Sequence, residues 1–580
     1  MNGPSGRRLL VLITARGGSK GLPGKNLALV GGIPLVGRAA RVGRLAAQAL
    51  GPECRVVCST DDPAIADAAR SWGAEIPFLR PSELATDNAG TNDVVLHALD
   101  TLGGDFDGVI LLPPTAPLTA VEDVLGSVAV HHEYGAPVVS VCAAEHPAEW
   151  LFSVDAAGRL QPMTEGEDVP YQRQKARVVY RLNGAVYVSD SASFRTHHTF
   201  FTPNTRGFVM PPERSIDIDT TLALDIARAV VAARTIGAVH IQGRAVGSGH
   251  PCFVIAEAGV NHNGSPERAR ELVDAAADAV KFQTFRAERL VTRTSPKAAY
   301  QVRATGEEES QFEMLKRLEL DEAAHRDLIE QCRIRGILFL STPFDEDSCD
   351  FLDSLGLPAF KLASGELTNV ALLRHVAKKR KPLILSTGMA SLEEVAKAVD
   401  AVRSDGNDDV LLLHCVSNYP AASSDVNLKA MATLREAFGA PVGFSDHTDG
   451  DAVALAAIAM GACVLEKHFT LDRNLAGPDH QASIEPAALT EMVRRIRAVE
   501  AALGHGRKEP APSEAPIARI ARRSLVAACD IPAGVVLKRE MVAVRRPGTG
   551  LAPEHLETLL GRTVMMDIPE GAVLKNAMLS

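Results

Sequence analysis

The sequence predicts an α/β protein with a (β/α)8 TIM barrel at its centre, a three-layer α/β domain ahead of it and a small β-rich module behind. Three observations carry this expectation. Between Cys252 and Thr470 one pattern repeats eight times, a short apolar run ending in polar residues, with amphipathic helical stretches between most of the runs. Over residues 1–236 apolar runs bounded by turn residues alternate with helical stretches, the pattern of a mostly parallel sheet covered on both faces. From residue 518 onward the segments are short and strand-like, and the phrase IPxGxVL occurs twice.

In the first domain the strands are RLLVLITA, RVVCST, GVILLPPT and PVVSVCA. Arg7 and Arg8 precede the first of them, but LLVLIT is too short for the apolar core of a signal peptide and reads as a buried strand. Directly after it comes TARGGSKGLPGKN (14–26), in which four glycines accompany Arg16, Lys20 and Lys25. Exposed backbone amides and cations together suit a triphosphate. The loop is neither GxxxxGK[ST] nor GxGxxG, so it is not a P-loop or a dinucleotide fingerprint. Near the domain's end SIDIDT puts Asp217 and Asp219 on one side of an extended segment, where two carboxylates can hold Mg2+. The same acids also suit the start of the helix LALDIARAV, whose dipole they would favour.

A Gly-rich joint, GRAVGSGHP (243–251), leads into the barrel, which is expected over 239–503. Its strands are CFVIAEAG, AVKFQT, ILFLSTPF, AFKLASGE, LILSTG, LLLHCVS, VGFSDHT and VLEKHFT. Side chains at the C-terminal strand ends of such a barrel surround one pocket. Here those ends supply Glu257, Lys281, Gln283, Thr342, Lys361, Ser364, Glu366, Ser386, Ser445, Asp446, His447, Glu466 and His468. His447 and His468 end neighbouring strands and can converge on one divalent metal, although single barrel histidines also serve as hydrogen-bonded packing residues. Lys281, Lys361, Ser364, Ser386 and Ser445 come from five strands and suit a phosphate. Lys281 sits between Val280 and Phe282 and so needs an anionic partner. Glu257, Glu366 and Asp479 are candidates for proton transfer or hydroxyl binding, or else salt-bridge partners of the lysines. The barrel closes with PAALTEMVRRIRAVEAAL; Pro, Gly and charge mark 504–517 as a linker, and 518–580 is too short for an ordinary enzyme.

Composition narrows the function. A net charge of −10 argues against a general nucleic-acid surface, which demands a basic footprint. Nine scattered cysteines point to a reducing cytoplasm. No apolar run approaches the roughly 20 residues that span a bilayer, so no membrane partner is expected. The adjacent pairs His131–His132 and His197–His198 read as surface residues, Glu307–Glu309 as a solvated loop, and Trp72 and Trp150 as packing residues.

The barrel motifs IAEAGVNHNG, KFQT, STPF, KLASGE, LSTGM, SDHT, EKHFT and GPDH resemble those of the sialic acid synthase family, and the tail with RRPGTG resembles its antifreeze-like (SAF) domain. That resemblance implies condensation of phosphoenolpyruvate with an N-acylhexosamine to a nine-carbon 2-keto acid and phosphate. It implies manganese on His447 and His468, and a phosphoenolpyruvate groove of Lys281, Thr342, Lys361, Ser364, Ser386 and Ser445. Glu257, Gln283, Glu366, Tyr419 and Asp479 would hold the sugar and the reacting water, and Arg546 would reach the sugar from a partner chain in a domain-swapped homodimer. The phrases TARGGSKGLPGKN, STDD, FLRPSELATD, RLNGAVYV and SIDIDT resemble N-acylneuraminate cytidylyltransferases, nucleotidyltransferases with a Rossmann-like domain. This second resemblance implies CTP as substrate and pyrophosphate release. Arg16 and Lys25 would bind the phosphates, Asn26 the nucleotide, Asp217 and Asp219 magnesium, and Arg173, Gln174 and Asn183 the sugar.

Two departures from these patterns stand out. DAAADAVKFQ is about one helical turn shorter than the family's connection and lacks its Gly, which threatens the placement of Lys281 and Gln283. LPPTAPL has Pro113 where the cytidylyltransferases carry a glutamine, and Ala116 in place of a hydroxyl residue. The rival readings are the same chemistry on a legionaminate-like, deaminated or spore-coat sugar, or one half acting as a non-catalytic binding module.

Overall fold

The computed structural model describes residues 7–163 and 177–580, apart from positions 20, 87, 104, 235 and 307. The chain forms two compact units, 1–502 and 503–580.

The first lobe of the larger unit is built on β1 (Leu9–Thr14), β2 (Arg55–Ser59), β3 (Gly108–Leu111), β4 (Val138–Ala143), β5 (Tyr180–Asp190) and β6 (Arg206–Val209), in the order β6-β4-β5-β3-β1-β2. β2, β1 and β3 are parallel, as are β6 and β4. The expected mostly parallel sheet is therefore interrupted: β5, which contains RLNGAVYV, runs antiparallel to both β3 and β4. Alternation along β1 makes the three layers. Val11 and Ile13 pack with Val36 and Ala40 of α1 (Leu35–Leu50), and Leu10 and Leu12 pack on the opposite face with Val95 and Leu99, of the helix Thr91–Leu102. Helix starts follow capping chemistry. Asp62 accepts from the amides of Ala64 and Ile65 at 2.8 and 3.1 Å, with Pro63 in the first helical position of α2 (Pro63–Ser71).

The expected joint at 243–251 is partly structural. Arg244–Val246 pairs with Val239–Ile241 in an antiparallel hairpin, and Val239, Ile241 and Val246 pack on Phe253, Ile255, Ala279 and Leu340 from inside the barrel. The hairpin is the barrel's floor, because an open end would leave that inner apolar layer in water.

The barrel strands are β7 (Phe253–Gly259), β8 (Ala279–Thr284), β9 (Leu338–Pro343), β10 (Phe360–Leu362), β11 (Leu383–Ser386), β12 (Val410–Cys415), β13 (Val442–Asp446) and β14 (Val464–His468). All eight apolar runs are strands, and every ladder is parallel, in the order β9-β8-β7-β14-β13-β12-β11-β10. The two lobes of this unit are joined by ion pairs: Arg41 holds both oxygens of Asp400 at 2.6 and 3.1 Å, and Arg44 adds a bond of 2.5 Å.

In the second unit Ser524–Ala527 pairs antiparallel with Val542–Arg545. The two IPxGxVL phrases face one another: Ile531 and Ile568 exchange backbone hydrogen bonds of 2.8 and 2.9 Å, and Ile531, Leu537, Ile568 and Leu574 share one core. Gly534 and Gly571 have φ of 85° and 79°, so both copies need glycine at the same turn. The stretch expected as a linker ends in a helix, Ala515–Ala521.

Candidate functional site

Strand alternation decides which side chains enter the barrel. Phe253 and Ile255 of β7 point into the inner apolar layer, and Glu257 continues the same parity one step above them. By the same count Lys281 and Gln283, Thr342, Lys361, Ser386, Cys415, Ser445, Glu466 and His468 face inward, and His447 follows Ser445 just past the end of β13. All of these line one cavity of about 380 Å3, together with Ser364, Tyr419 and Asp479.

Two expected members do not join them. Asp446 has outward parity, is fully buried, and is held by Lys467 Nζ at 2.7 Å on the outer face of the strands. Glu366 follows β10 on a tight turn, where strand parity no longer applies; its carboxylate accepts from Asn369 Nδ2 at 2.8 Å and does not line the cavity. The shortened connection leaves Lys281 in place. The preceding helix ends at Ala275 with φ −109°, without a left-handed glycine, and β8 still pairs Lys281 with Glu257.

The centre of the cavity is a buried four-charge cluster. Lys281 Nζ contacts Glu257 and lies 3.7 Å from Glu466, while Lys361 Nζ lies 3.3 Å from Glu466. Burial would raise the Glu466 carboxyl, but two lysines and a 2.8 Å bond from Ser445 Oγ outweigh it, holding Glu466 ionised. Glu257 has one lysine in contact; burial wins there and pushes it up to about 7. Burial would lower Lys281, but Glu257 and Glu466 reverse the sign, whereas Lys361 is lowered by burial. Burial also lifts Asp479 to about 6.

The hydroxyl side is as crowded. Ser364 Oγ accepts from the Gly388 amide at 3.0 Å, and a Cβ on Gly388 would stand 2.3 Å from Ser417 Oγ and 2.8 Å from Ser364 Oγ. Ser386 Oγ is buried without a hydrogen-bond partner among the described residues, and Thr342 Oγ1 accepts from Lys281 at 3.1 Å. A cationic, hydroxyl-lined recess with an unsatisfied donor suits an oxyanion.

The two histidines meet at the rim, with ring centroids 5.4 Å apart. The Tyr419 ring lies over His447 at 4.2 Å and meets His468 edge-on at 5.3 Å. His447 Nδ1 is 2.6 Å from the Val416 carbonyl and its Nε2 faces Ser445 Oγ at 3.3 Å, while His468 Nδ1, 3.8 Å from Asp479 Oδ2, is buried with no hydrogen-bond partner among the described residues. Burial lowers both imidazoles, so both are neutral donors. An orphaned ring nitrogen beside a second neutral imidazole fits a divalent ion with open positions.

In the first lobe the glycine-rich loop is braced from several sides. Arg16 Nη1 donates to the Thr86 carbonyl at 2.8 Å, Asn26 Nδ2 to the Arg16 carbonyl at 2.9 Å, and Lys25 Nζ lies 3.1 Å from Asp219. Asp217 Oδ1 is buried with no hydrogen-bond partner among the described residues, and burial raises this carboxyl more than Thr115, Lys25 and Arg181 lower it. Asn183 takes a different part from the one expected. It is fully buried, accepting from Ser140 Oγ at 2.6 Å and donating to Ser215 Oγ at 2.9 Å, so it braces the sheet. Arg173 and Gln174 lie outside the described residues. Ala116 is buried, and the neighbouring Thr115 carbonyl accepts from Ile218 at 2.8 Å. His131 is also buried, not a surface residue, with Nδ1 2.7 Å from the Ala136 carbonyl. Glu309 pairs with Arg317 at 2.9 Å.

Sequence reasoning missed Cys415, Met389 and the wall formed by Gln301, Met314, Leu315 and Leu318. Cys415 continues the inward parity of Leu411 and Leu413 and could have been found that way; the wall comes from the segment between β8 and β9, which carries no strand signal. Arg546 is exposed in the second unit.

Comparison with known proteins gives three family matches in order along the chain: cytidylyltransferase over residues 10–216, NeuB family over 270–508 and SAF domain over 522–580. The N,N'-diacetyllegionaminic acid synthase of Legionella pneumophila is 50% identical, the match covering 57% of this chain and 94% of that protein. The enzyme of the same name from Campylobacter jejuni is 44% identical over 56% of this chain and 98% of its own length. Human N-acetylneuraminate-9-phosphate synthase is 35% identical over 57% of this chain and 92% of its own length.

Proposed function

Because the chain belongs to the NeuB family, with a cytidylyltransferase domain ahead of the barrel and a SAF domain behind it, we propose that it is a bifunctional enzyme of nonulosonic acid biosynthesis. The barrel joins phosphoenolpyruvate, an N-acylhexosamine and water into a nine-carbon 2-keto acid and phosphate. The first lobe then transfers CMP from CTP to that acid and releases pyrophosphate. The observation that carries this reading is the cavity in which Lys281, Lys361, Ser364 and Ser386 stand together with His447 and His468.

In this reading Lys281, Lys361 and the hydroxyls hold the phosphate and carboxylate of phosphoenolpyruvate and stabilise charge on the departing phosphate. Glu466, kept ionised, positions both lysines. Glu257 and Asp479, lifted to about 7 and about 6, are suited to exchanging protons with the sugar hydroxyls and the reacting water. His447 and His468 would hold a divalent ion such as manganese, which supplies Lewis acidity towards the acceptor carbonyl. In the first lobe Arg16 and Lys25 draw in the triphosphate, and Asp217 and Asp219 would hold magnesium beside it. Arg546 from a second copy of the chain would complete the sugar site in a domain-swapped dimer. Identities of 50% and 44% with legionaminate synthases, against 35% with the human neuraminate enzyme, favour a legionaminate-type sugar.

The test is a one-pot reaction of phosphoenolpyruvate, CTP and a panel of N-acylated hexosamines, read by mass spectrometry. A CMP-linked nine-carbon acid is expected, with a diacetylated acceptor giving the highest yield. A free nine-carbon acid without CMP would reduce the first lobe to a binding module; no new acid with any acceptor would refute the synthase reading.

A further inference from the structure

Between the two lobes of the larger unit lies a second cavity, of about 830 Å3, lined by Arg38, Arg41, Arg214, Arg234 and Arg403 against only two acids, Glu122 and Asp400. In a chain of net charge −10 this is a local inversion of sign. The acids are already committed. Asp400 carries Arg41 and Arg44 on its two oxygens, and Glu122 lies 3.3 Å from Arg214, which is also bound to Asp123 at 2.8 Å.

Three guanidiniums are left without a carboxylate at ion-pair distance among the described residues. Arg38 gives Nε and Nη2 to one neutral acceptor, the Val30 carbonyl, at 2.9 and 2.6 Å. Burial above all, then the nearby Arg234 and Arg41, lower it to about 9, and Glu436 offsets this only in part. Arg403 gives Nη1 to the Phe438 carbonyl at 2.8 Å, while its Nε is buried with no hydrogen-bond partner among the described residues. Arg234 is exposed at the rim. Burying cations together costs free energy unless an anion joins them. The rest of the wall is apolar, from Ile33, Val42, Leu45, Leu118 and Phe438, with the Arg41 guanidinium 5.4 Å above the Phe438 ring.

We propose that this interlobe cleft is a binding site, separate from both reaction pockets, for a phosphate-bearing anion of nucleotide size. Its volume lies in the roughly 300–1,000 Å3 range of small-molecule sites, which favour domain interfaces. The arginines supply forked donors for the phosphates, and the apolar wall with Phe438 supplies a surface for a base. The cleft also touches both sites through short runs of chain. Leu118 lies three residues beyond Thr115, whose backbone holds Ile218 next to Asp217, and Arg38 grips Val30 just past the glycine-rich loop. On the barrel side Phe438 ends the helix that leads into β13, whose end carries Ser445 and His447.

Calorimetric titration of the full chain with CMP, and separately with pyrophosphate, tests the site. Two binding events per chain are expected. One should survive Lys25→Ala, a change in the glycine-rich loop, and weaken at least tenfold in Arg403→Ala and in Arg234→Glu. Arg234→Glu alters an exposed side chain, so its effect stands even where Arg403→Ala fails to fold. A single event, removed by Lys25→Ala and unmoved by Arg234→Glu, would overturn the proposal. Two events that both survive Lys25→Ala would count against the nucleotide reading of the loop, and the cleft site would stand only where one of them is weakened by Arg234→Glu and fall where neither is.

Discussion

Glu257 and Glu466 sit on neighbouring strands and shift in opposite directions, because one has a single lysine at ion-pair distance and the other has two together with the Ser445 hydroxyl. The raised Glu257 has a consequence for stability. Its folded pKa of about 7 lies above the unfolded value, so its contribution is present below about 4.5 and is lost as pH rises through about 7. Glu257→Gln removes that slope. The difference in urea-unfolding free energy between the variant and the parent should shift in the variant's favour by roughly 3 kcal/mol at most from pH 5 to pH 8; a pH-independent difference would refute it. The histidine pair is separable from the first lobe. His447→Ala should abolish manganese binding, read by electron paramagnetic resonance, and cut phosphate release from phosphoenolpyruvate by about a thousandfold, or roughly 4 kcal/mol. CTP-dependent pyrophosphate release should persist in that variant and be lost in Asp217→Ala. Retained activity of the targeted half would remove the corresponding residue from the assignment.

At the scale of an element, one strand makes the sharpest contrast. Ser445 and Asp446 are adjacent on β13 yet point to opposite faces. Asp446→Ala leaves the Lys467 ammonium buried and unpaired, so it should cost about 3–5 kcal/mol in chemical denaturation, while the folded fraction keeps its KM for phosphoenolpyruvate. Ser445→Ala removes a hydrogen bond to the buried Glu466 carboxylate, so it should cost less, about 1.5–3 kcal/mol, and raise that KM as well. The same alternation explains what could be read from the chain beforehand. Glu257, Lys281, Lys361 and Glu466 sit within strands, where period two and a polar break in an apolar run suffice to place them. Glu366 lies on a turn beyond its strand, and Asn183 on a strand whose direction the sequence did not disclose, so their surroundings depended on contacts distant in the chain. The cavity wall around Gln301 and Met314 was illegible for the same reason.

For the whole molecule, the proposed exchange of Arg546 between copies makes a strong prediction. His447→Ala and Arg546→Ala chains, each inactive as a synthase alone, should recover activity when unfolded and refolded together. A mixed dimer then holds one site with both residues intact. Random pairing gives about half mixed dimers, hence about a quarter of the parent's synthase rate. No recovery above either variant alone would mean that each chain completes its own site. All nine cysteines are free thiols, so refolding needs only a reductant.

The hairpin beneath the barrel sets a limit on how the gene for this chain can be rearranged. Val239, Ile241 and Val246 are core residues of the barrel although they precede its first strand by several positions. A fragment cut at the apparent start of the barrel, near Cys252, would leave its lower end unplugged and prone to self-association. The spacer between the two catalytic lobes is therefore only the few residues after the helix Thr221–Ala232 and before Val239. Lengthening that leash, or trading one lobe for a relative's, will succeed only where the splice falls inside it.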